Sequence, residues 1–227
     1  METLNPMSFR CVLPLLGVTL IAVGVVSRDW RLSTMWLGSD FLALGIAYGV
    51  GSPHVYGKRS DGTIPAWSWL VFMPLLVFRG SVWHMVRLFQ RGPALNAVTD
   101  DLAIGRRLLP SEIAVEFDNY VDLTAEFAEP LPIRRSSAYI SFPILDGTAP
   151  TVDALRAAVA GLRPGTTFVH CAQGYGRTGL FAMAVLLKCG AAGSVEEGLR
   201  MLQAVRPGVR LNRRQRACIE SYAEMLR

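Results

Sequence analysis

The chain has 227 residues, enough for one domain of ordinary size and an appendage. Of these 51% are hydrophobic, with the excess concentrated before residue 90, so a wholly soluble globular chain is not expected. A net charge of +5 with no accompanying motif gives no ground for a nucleic-acid partner, and the four cysteines, at 11, 171, 189 and 218, have neither disulfide-framework nor metal-ligand spacing.

Cys11 to Ser27 is a charge-free run of 17 residues between Arg10 and Arg28, about the minimum that spans a bilayer as a helix. Met35 to Tyr56 carries only Asp40 and His54, with Trp36, Tyr48 and Tyr56 placed as interfacial anchors, and reads as a second span. Asp40, near its start, is expected at the headgroup level. A doubtful third segment covers 64–90: Ile64 to Phe78 contains Pro65 and Pro74, and beyond it Val82, Trp83, Val86 and Phe89 recur at helical spacing opposite His84, Arg87, Gln90 and Arg91, as in an interfacial helix. The first run also fits a signal peptide cleaved near Val25 and Ser27, but the second would keep the protein in the membrane. The expected division is therefore a membrane anchor over 1–91 and a soluble domain over 92–227.

Arg28 and Arg31 nearly cancel Lys58 and Arg59 in the positive-inside balance, whereas Arg79, Arg87, Arg91, Arg106 and Arg107 follow the last segment and point to a cytoplasmic C-terminal domain, as on a bacterial inner membrane. A reducing compartment also suits unpaired cysteines.

From Gly92 the composition is that of an ordinary soluble domain. Asn96 to Asp101 reads as a linker, 102–105 as a short edge strand, 120–124 as a central strand, and 139–142 as a strand closed by Pro143. Thr151 is placed to cap a helix over 152–162; Thr167 to Val169 reads as a buried strand and Leu180 to Lys188 as a helix. Ser194 caps 195–205, and after Pro207-Gly208 a last helix starts near Asn212. Strands alternating with helices predict an α/β fold: a mostly parallel central sheet flanked by helices, its site outside the carboxyl ends of the strands.

The stretch 170–179, His-Cys-Ala-Gln-Gly-Tyr-Gly-Arg-Thr-Gly, joins that buried strand to a helix. Backbone amides at such a junction and the helix dipole make an anion site, and Gly174, Gly176 and Gly179 let the backbone curl toward a ligand. The same field favours a thiolate at Cys171. Arg177, six residues on, has the planar fork to hold two phosphate oxygens, and Thr178 places a hydroxyl where it could donate to the sulfur.

This stretch resembles the signature of the cysteine-dependent protein tyrosine phosphatase superfamily, and every fixed position matches. The resemblance extends over about 100–225: Val121 to Glu126 is similar to the segment by which dual-specificity phosphatases enter their core sheet, and Phe142 to Pro150 is similar to their general-acid loop. It implies Cys171 as nucleophile, Arg177 as phosphate clamp and Asp146 as general acid, with Ala172, Gln173, Gly174, Tyr175 and Gly176 completing the phosphate loop, and neither cofactor nor metal. Asp122 reads as structural. His170 is expected as a buried partner of the loop backbone. Gln215 is similar to a glutamine that positions the hydrolytic water in some members, with a plain surface residue as the other reading.

The loop's variable positions, Ala172, Gln173 and Tyr175, are not basic, which disfavours a multiply phosphorylated inositol head group, and Gln173 replaces a smaller residue. Arg134 and Arg135, and Arg210, Arg213, Arg214 and Arg216, are read as solvated charge, with acidic substrate groups or anionic lipid as the functional alternative. The expected partner is a phosphorylated protein, with phosphotyrosine first; a lipid phosphate monoester is the alternative, because a membrane anchor concentrates lipid substrates and a mitochondrial phosphatidylglycerophosphate phosphatase of the superfamily shows that the fold can take one, and an inactive phosphate-binding module is the third reading. Oligomeric state is not legible.

Overall fold

In the computed structural model, residues 6–27, 29–90, 92–113, 116–136 and 138–227 are described; Arg28 and Arg91, which entered the charge balance, lie outside them. Two units divide the chain. The first comprises 1–59, 63–89 and 125–128, and the second 60–62, 90–124 and 129–227.

The first unit holds α1 (Pro6–Val26), α2 (Arg31–Val50) and α3 (Ala66–Phe89). α1 and α2 pack backbone to backbone: a Cβ on Gly17 would sit 2.7 Å from Gly38 O, and one on Gly45 would strike Pro14. Close approach through small residues is how helices associate where no hydrophobic effect drives them. By length and hydropathy two stretches could cross a membrane, Phe9–Val26 and Ala66–Phe89. The second expected span is not one of them: α2 stops at Val50, short of Tyr56, and Arg31, Ser33, Thr34, Ser39 and Asp40 lower its hydropathy. The doubtful third qualifies because Pro65 precedes the helix and Pro74 bends it without ending it, with a break at Phe72 (φ −99°, ψ 18°). Trp36 Nε1 donates to Val71 O at 2.6 Å, occupying a carbonyl beside that break. Asp40, one turn on from Trp36, is fully buried among the helices.

In the second unit the elements run β1 (Leu95–Ala97), β2 (Leu102–Arg106), β3 (Asn119–Thr124), α4 (Leu131–Arg135), β4 (Tyr139–Ile144), α5 (Val152–Ala160), β5 (Thr167–Cys171), α6 (Gly176–Lys188), α7 (Val195–Val205) and α8 (Arg213–Met225). The sheet order is β1-β2-β5-β3-β4, with β1 antiparallel and the rest parallel. This is the mostly parallel, helix-flanked α/β sheet that the alternation predicts. Three local expectations change. The edge beyond β2 is β1, formed inside the expected linker, so β2 is interior. β4 runs through Pro143 to Ile144, which an edge strand tolerates because its outward N–H is not needed. α4, five residues long, follows Pro130 and carries no amphipathic repeat long enough to read.

Both sheet faces are covered. α6 lies against one, placing Leu180, Phe181, Met183 and Leu186 on Val121, Leu123 and Val169, all fully or nearly fully buried. The other face is closed by Phe168, Tyr120 and Ile133. Thr151 and Ser194 cap α5 and α7 through Ala154 N–H (3.2 Å) and Glu197 N–H (3.2 Å), and Asn212 caps α8 in a reciprocal box with Gln215. β5 and α6 are thus a buried strand and a buried helix, and the loop between them inherits their rigidity.

Candidate active site

Strand alternation divides the two residues at the end of β5. Cys171 turns to the α6 side of the sheet, while His170 turns to the other, stacking on Phe168 (5.3 Å, 19°) with Nε2 3.9 Å from Glu129 Oε2. Cys171 is buried, and Gly174 N–H donates to its Sγ at 3.3 Å. The described donor to the sulfur is therefore an amide. Thr178, expected to supply a hydroxyl there, is fully buried and its Oγ1 makes no hydrogen bond among the described residues. The first bond inside α6 runs from Gly179 N–H to Tyr175 O (2.7 Å), so the amides of the first turn precede it and look out of the helix, as at any helix start.

Gly174 is where the loop turns. Its φ is +75°, and a Cβ there would strike the Gly105 carbonyl of β2. Only glycine meets both conditions without strain. The peptide that turns its N–H to Sγ turns its carbonyl, Gln173 O, the other way, to Arg206 Nη2 at 2.9 Å. Arg206 Nε donates to Gly174 O at 2.9 Å, its Nη1 donates to Asn96 Oδ1 at 2.8 Å and Pro93 O at 3.1 Å, and its guanidinium lies 5.1 Å from the Tyr175 ring centre. Burial lowers the pKa of Arg206 from the usual arginine range, yet its bonds to carbonyls need the cation. Sequence reasoning missed it: Arg-Pro-Gly signals a helix end, and no local pattern reports that this arginine is buried.

Arg177, 3% exposed, reaches back across the sheet. Nη1 donates to Ile144 O at 3.0 Å and lies 3.5 Å from Leu123 O, at the ends of β4 and β3, and Nη2 is 3.3 Å from Asp146 Oδ1. Asp146, 25 residues before Cys171 in the chain, is thereby brought to the loop with its side chain 68% exposed. It stands in a turn closed by Thr148 N–H to Leu145 O (3.0 Å), with Gly147 at φ +72°. Two residues of α8's cap pin that turn: Asn212 Nδ2 donates to Gly147 O at 2.8 Å and Gln215 Nε2 to Thr148 O at 3.2 Å. Gln215 is 2% exposed and beside Gly176, which overturns the surface-residue reading. Ala172 and Gly174 are buried, whereas Gln173, Tyr175 and Gly176 are half-buried.

The chain matches no protein-family model and no curated protein. Among solved structures it is similar to Tk-PTP in its active form, at 25% identity and a TM-score of 0.52, covering 58% of this chain and 97% of that one. Human DUSP28 (17%, 0.50) and PTPMT1 in complex with PI(5)P (12%, 0.51) share the fold, each over 59% of this chain and 95% and 96% of theirs. Over that stretch the chain is similar to cysteine-dependent phosphatases of the dual-specificity type.

Beneath the loop, on the His170 side, the phosphatase domain buries an ionic network. Arg107 Nε pairs with Glu129 Oε1 at 2.9 Å, and Arg107 N–H donates to Cys171 O at 2.8 Å. Asp122 accepts from Thr124 N–H (2.8 Å), Thr124 Oγ1 (2.7 Å) and Tyr139 Oη (2.8 Å), which is the structural part expected of it. Asp122, Glu129 and His170 bring ligating atoms within 4.8 Å of one another, close enough for a cation, but Asp122 is hydrogen-bonded and Glu129 ion-paired within the network. Glu129 had no signal in the sequence: a lone acid before Pro130.

Proposed function

We propose that the protein is a membrane-anchored phosphatase that hydrolyses phosphate monoesters of proteins, phosphotyrosine first, through a cysteinyl-phosphate intermediate. The observation that carries the reading is the convergence of Cys171, Arg177 and Asp146 at the ends of three strands, with an amide already on the sulfur.

The Cys171 thiolate attacks phosphorus and forms the S–P bond as the P–O bond to the leaving group breaks. Arg177's fork and the loop amides hold the equatorial oxygens, on which charge accumulates. Asp146 gives its proton to the departing oxygen, so that an alcohol or phenol leaves. A water then attacks the cysteinyl phosphate, Asp146 takes its proton, and inorganic phosphate departs from a regenerated thiolate. Gln215, buried beside Gly176, is the candidate to orient that water, and the hydroxyl of Thr178 is the candidate to donate to the sulfur as it leaves. The mechanism uses no metal or cofactor.

Ala172, Gln173 and Tyr175 offer no charge to second phosphates, which supports a phosphoprotein over a polyphosphorylated lipid. A lipid monoester is the second reading, favoured by the apolar stretches Phe9–Val26 and Ala66–Phe89, which would hold the enzyme where such substrates are concentrated. In that setting the catalytic domain faces the cytoplasm of a bacterial cell.

The test uses full-length protein in vesicles, assayed on phosphotyrosine peptides and on phosphatidylglycerophosphate. Cys171→Ser should abolish turnover of every substrate and retain vanadate binding; near-wild-type turnover would refute the nucleophile. Turnover of the lipid alone would move the assignment to the second reading.

A further inference from the structure

We propose that Gln90, the residue that follows α3 in the chain, is a positioning residue of the phosphate loop. The inference rests on the phosphatase reading and adds to it a residue from outside the stretch, about 100–225, that resembles the superfamily. Gln90 Nε2 donates to Gln173 Oε1 at 2.9 Å and lies 3.4 Å from Tyr175 Oη. Gln173 and Tyr175 are two of the three loop positions that the motif leaves variable.

Each of those residues is held at two points. Gln173 is fixed at its carbonyl by Arg206 and at its amide by Gln90. The ring of Tyr175 lies against Arg206 and Gly208, and its hydroxyl faces Gln90. Arg206 also binds Pro93 and Asn96, so Gln90 reaches the loop directly, and Pro93 and Asn96 reach it through Arg206. Gln173 stands where a smaller residue is usual, and its long side chain has several rotamers to choose among. The bond to Gln90 selects one in which the amide is engaged by a residue from outside the loop. Without it the side chain regains its freedom and samples the space the anion needs, while the hydroxyl of Tyr175 loses its neighbour.

The experiment is a double-mutant cycle in the full-length protein with Gln90→Leu, Gln173→Leu and the pair, reading the vanadate inhibition constant, KM and kcat on nitrophenyl phosphate, and thermal unfolding. Each single change should weaken vanadate binding and raise KM about 2- to 10-fold, as expected for one lost hydrogen bond with a stranded partner. The pair should cost no more than the worse single change, because neither amide is then left stranded. Midpoints of unfolding should stay within about 2 °C of wild type, since Gln90 is only half-buried. A role in stability alone would lower the midpoint and leave vanadate binding unchanged. That result, or effects that multiply in the pair, overturns the inference. If Gln90→Leu does not fold, Gln90→Ala must show the same rise. Wild-type protein with neither turnover nor vanadate inhibition would sink the phosphatase reading and this inference with it, whereas an active wild type with an indifferent Gln90 sinks this inference alone.

Discussion

Arg206 Nε and Gly174 O, 32 residues apart in the chain, meet at 2.9 Å, and this bond explains why the loop presents amides inward. A peptide cannot turn its N–H toward the sulfur without turning its carbonyl away, and the carbonyls of Gln173 and Gly174 would be costly to bury without donors. One guanidinium supplies both.

Arg206→Lys is therefore not a conservative change. A single ammonium cannot reach Gln173 O, Gly174 O, Pro93 O and Asn96 Oδ1 together, or stack on Tyr175 as a plane does. We expect kcat/KM to fall about 10- to 100-fold, equivalent to one or two lost charged hydrogen bonds, with vanadate affinity falling in parallel. Steady-state kinetics on nitrophenyl phosphate decide it. A lysine variant that keeps full vanadate affinity would show that the loop holds its shape without the fork.

Asp146 and Asn212 should separate by leaving group. Asp146→Asn removes the proton donor, so turnover of a phosphoserine peptide should drop about 100- to 10,000-fold, and that of nitrophenyl phosphate, whose leaving group needs little help, much less. Asn212→Ala removes both the α8 cap, about 1 kcal/mol of stability, and the bond to Gly147 O that holds the acid's turn. It should reproduce the same leaving-group bias more weakly. Equal losses on both substrates in either variant would argue against proton donation from this turn.

Half-buried Tyr139 and buried Asp122 together give a pH signature. Burial first, then the charge of Asp122, raises the phenol above its ordinary range. The folded state therefore keeps a proton that the unfolded chain releases near pH ~10; stability from this source is complete below that value and is lost progressively as pH rises above it toward the raised folded-state pKa. Tyr139→Phe loses the 2.8 Å bond to Asp122 and should destabilise the protein by about 1–3 kcal/mol at neutral pH, yet fall less steeply in alkali. Urea unfolding of both proteins at neutral and alkaline pH tests this, and identical alkaline slopes would be the contrary result.

What the sequence made legible was local. The ten residues of the loop lie together in the chain, and the caps Thr151, Ser194 and Asn212 act within one helical turn, so spacing alone locates them. Gln90 and Gln173 are 83 residues apart, and Arg206 and Asn96 are 110 apart. No local pattern records such a meeting. β1 escaped notice for a related reason: three residues with weak strand preference become a strand only because β2 offers its edge. The burial of Asp40 is equally illegible: the apolar run starts at Met35, whereas α2 begins at Arg31 and puts Asp40 mid-helix against its neighbours.

The last prediction concerns how α1 and α2 hold together. Gly17 and Gly24 on α1, and Gly38 and Gly45 on α2, are each spaced by seven residues and so fall on one face of their helix. A Cβ on Gly38 would stand 2.8 Å from Gly17 O, and one on Gly24 would meet Thr34 Oγ1 at 2.7 Å. A bulky residue at such a contact must push the two backbones apart, and the close packing along the rest of the seam is lost with them. Gly17→Leu should lower the SDS concentration at which the full-length protein loses its helical packing, followed by tryptophan fluorescence. Gly49→Ala is the control: it lies on α2 as well, with open space where its Cβ would go, and should leave that midpoint where it is. If the two variants behave alike, the backbone contact between α1 and α2 is not what holds the pair.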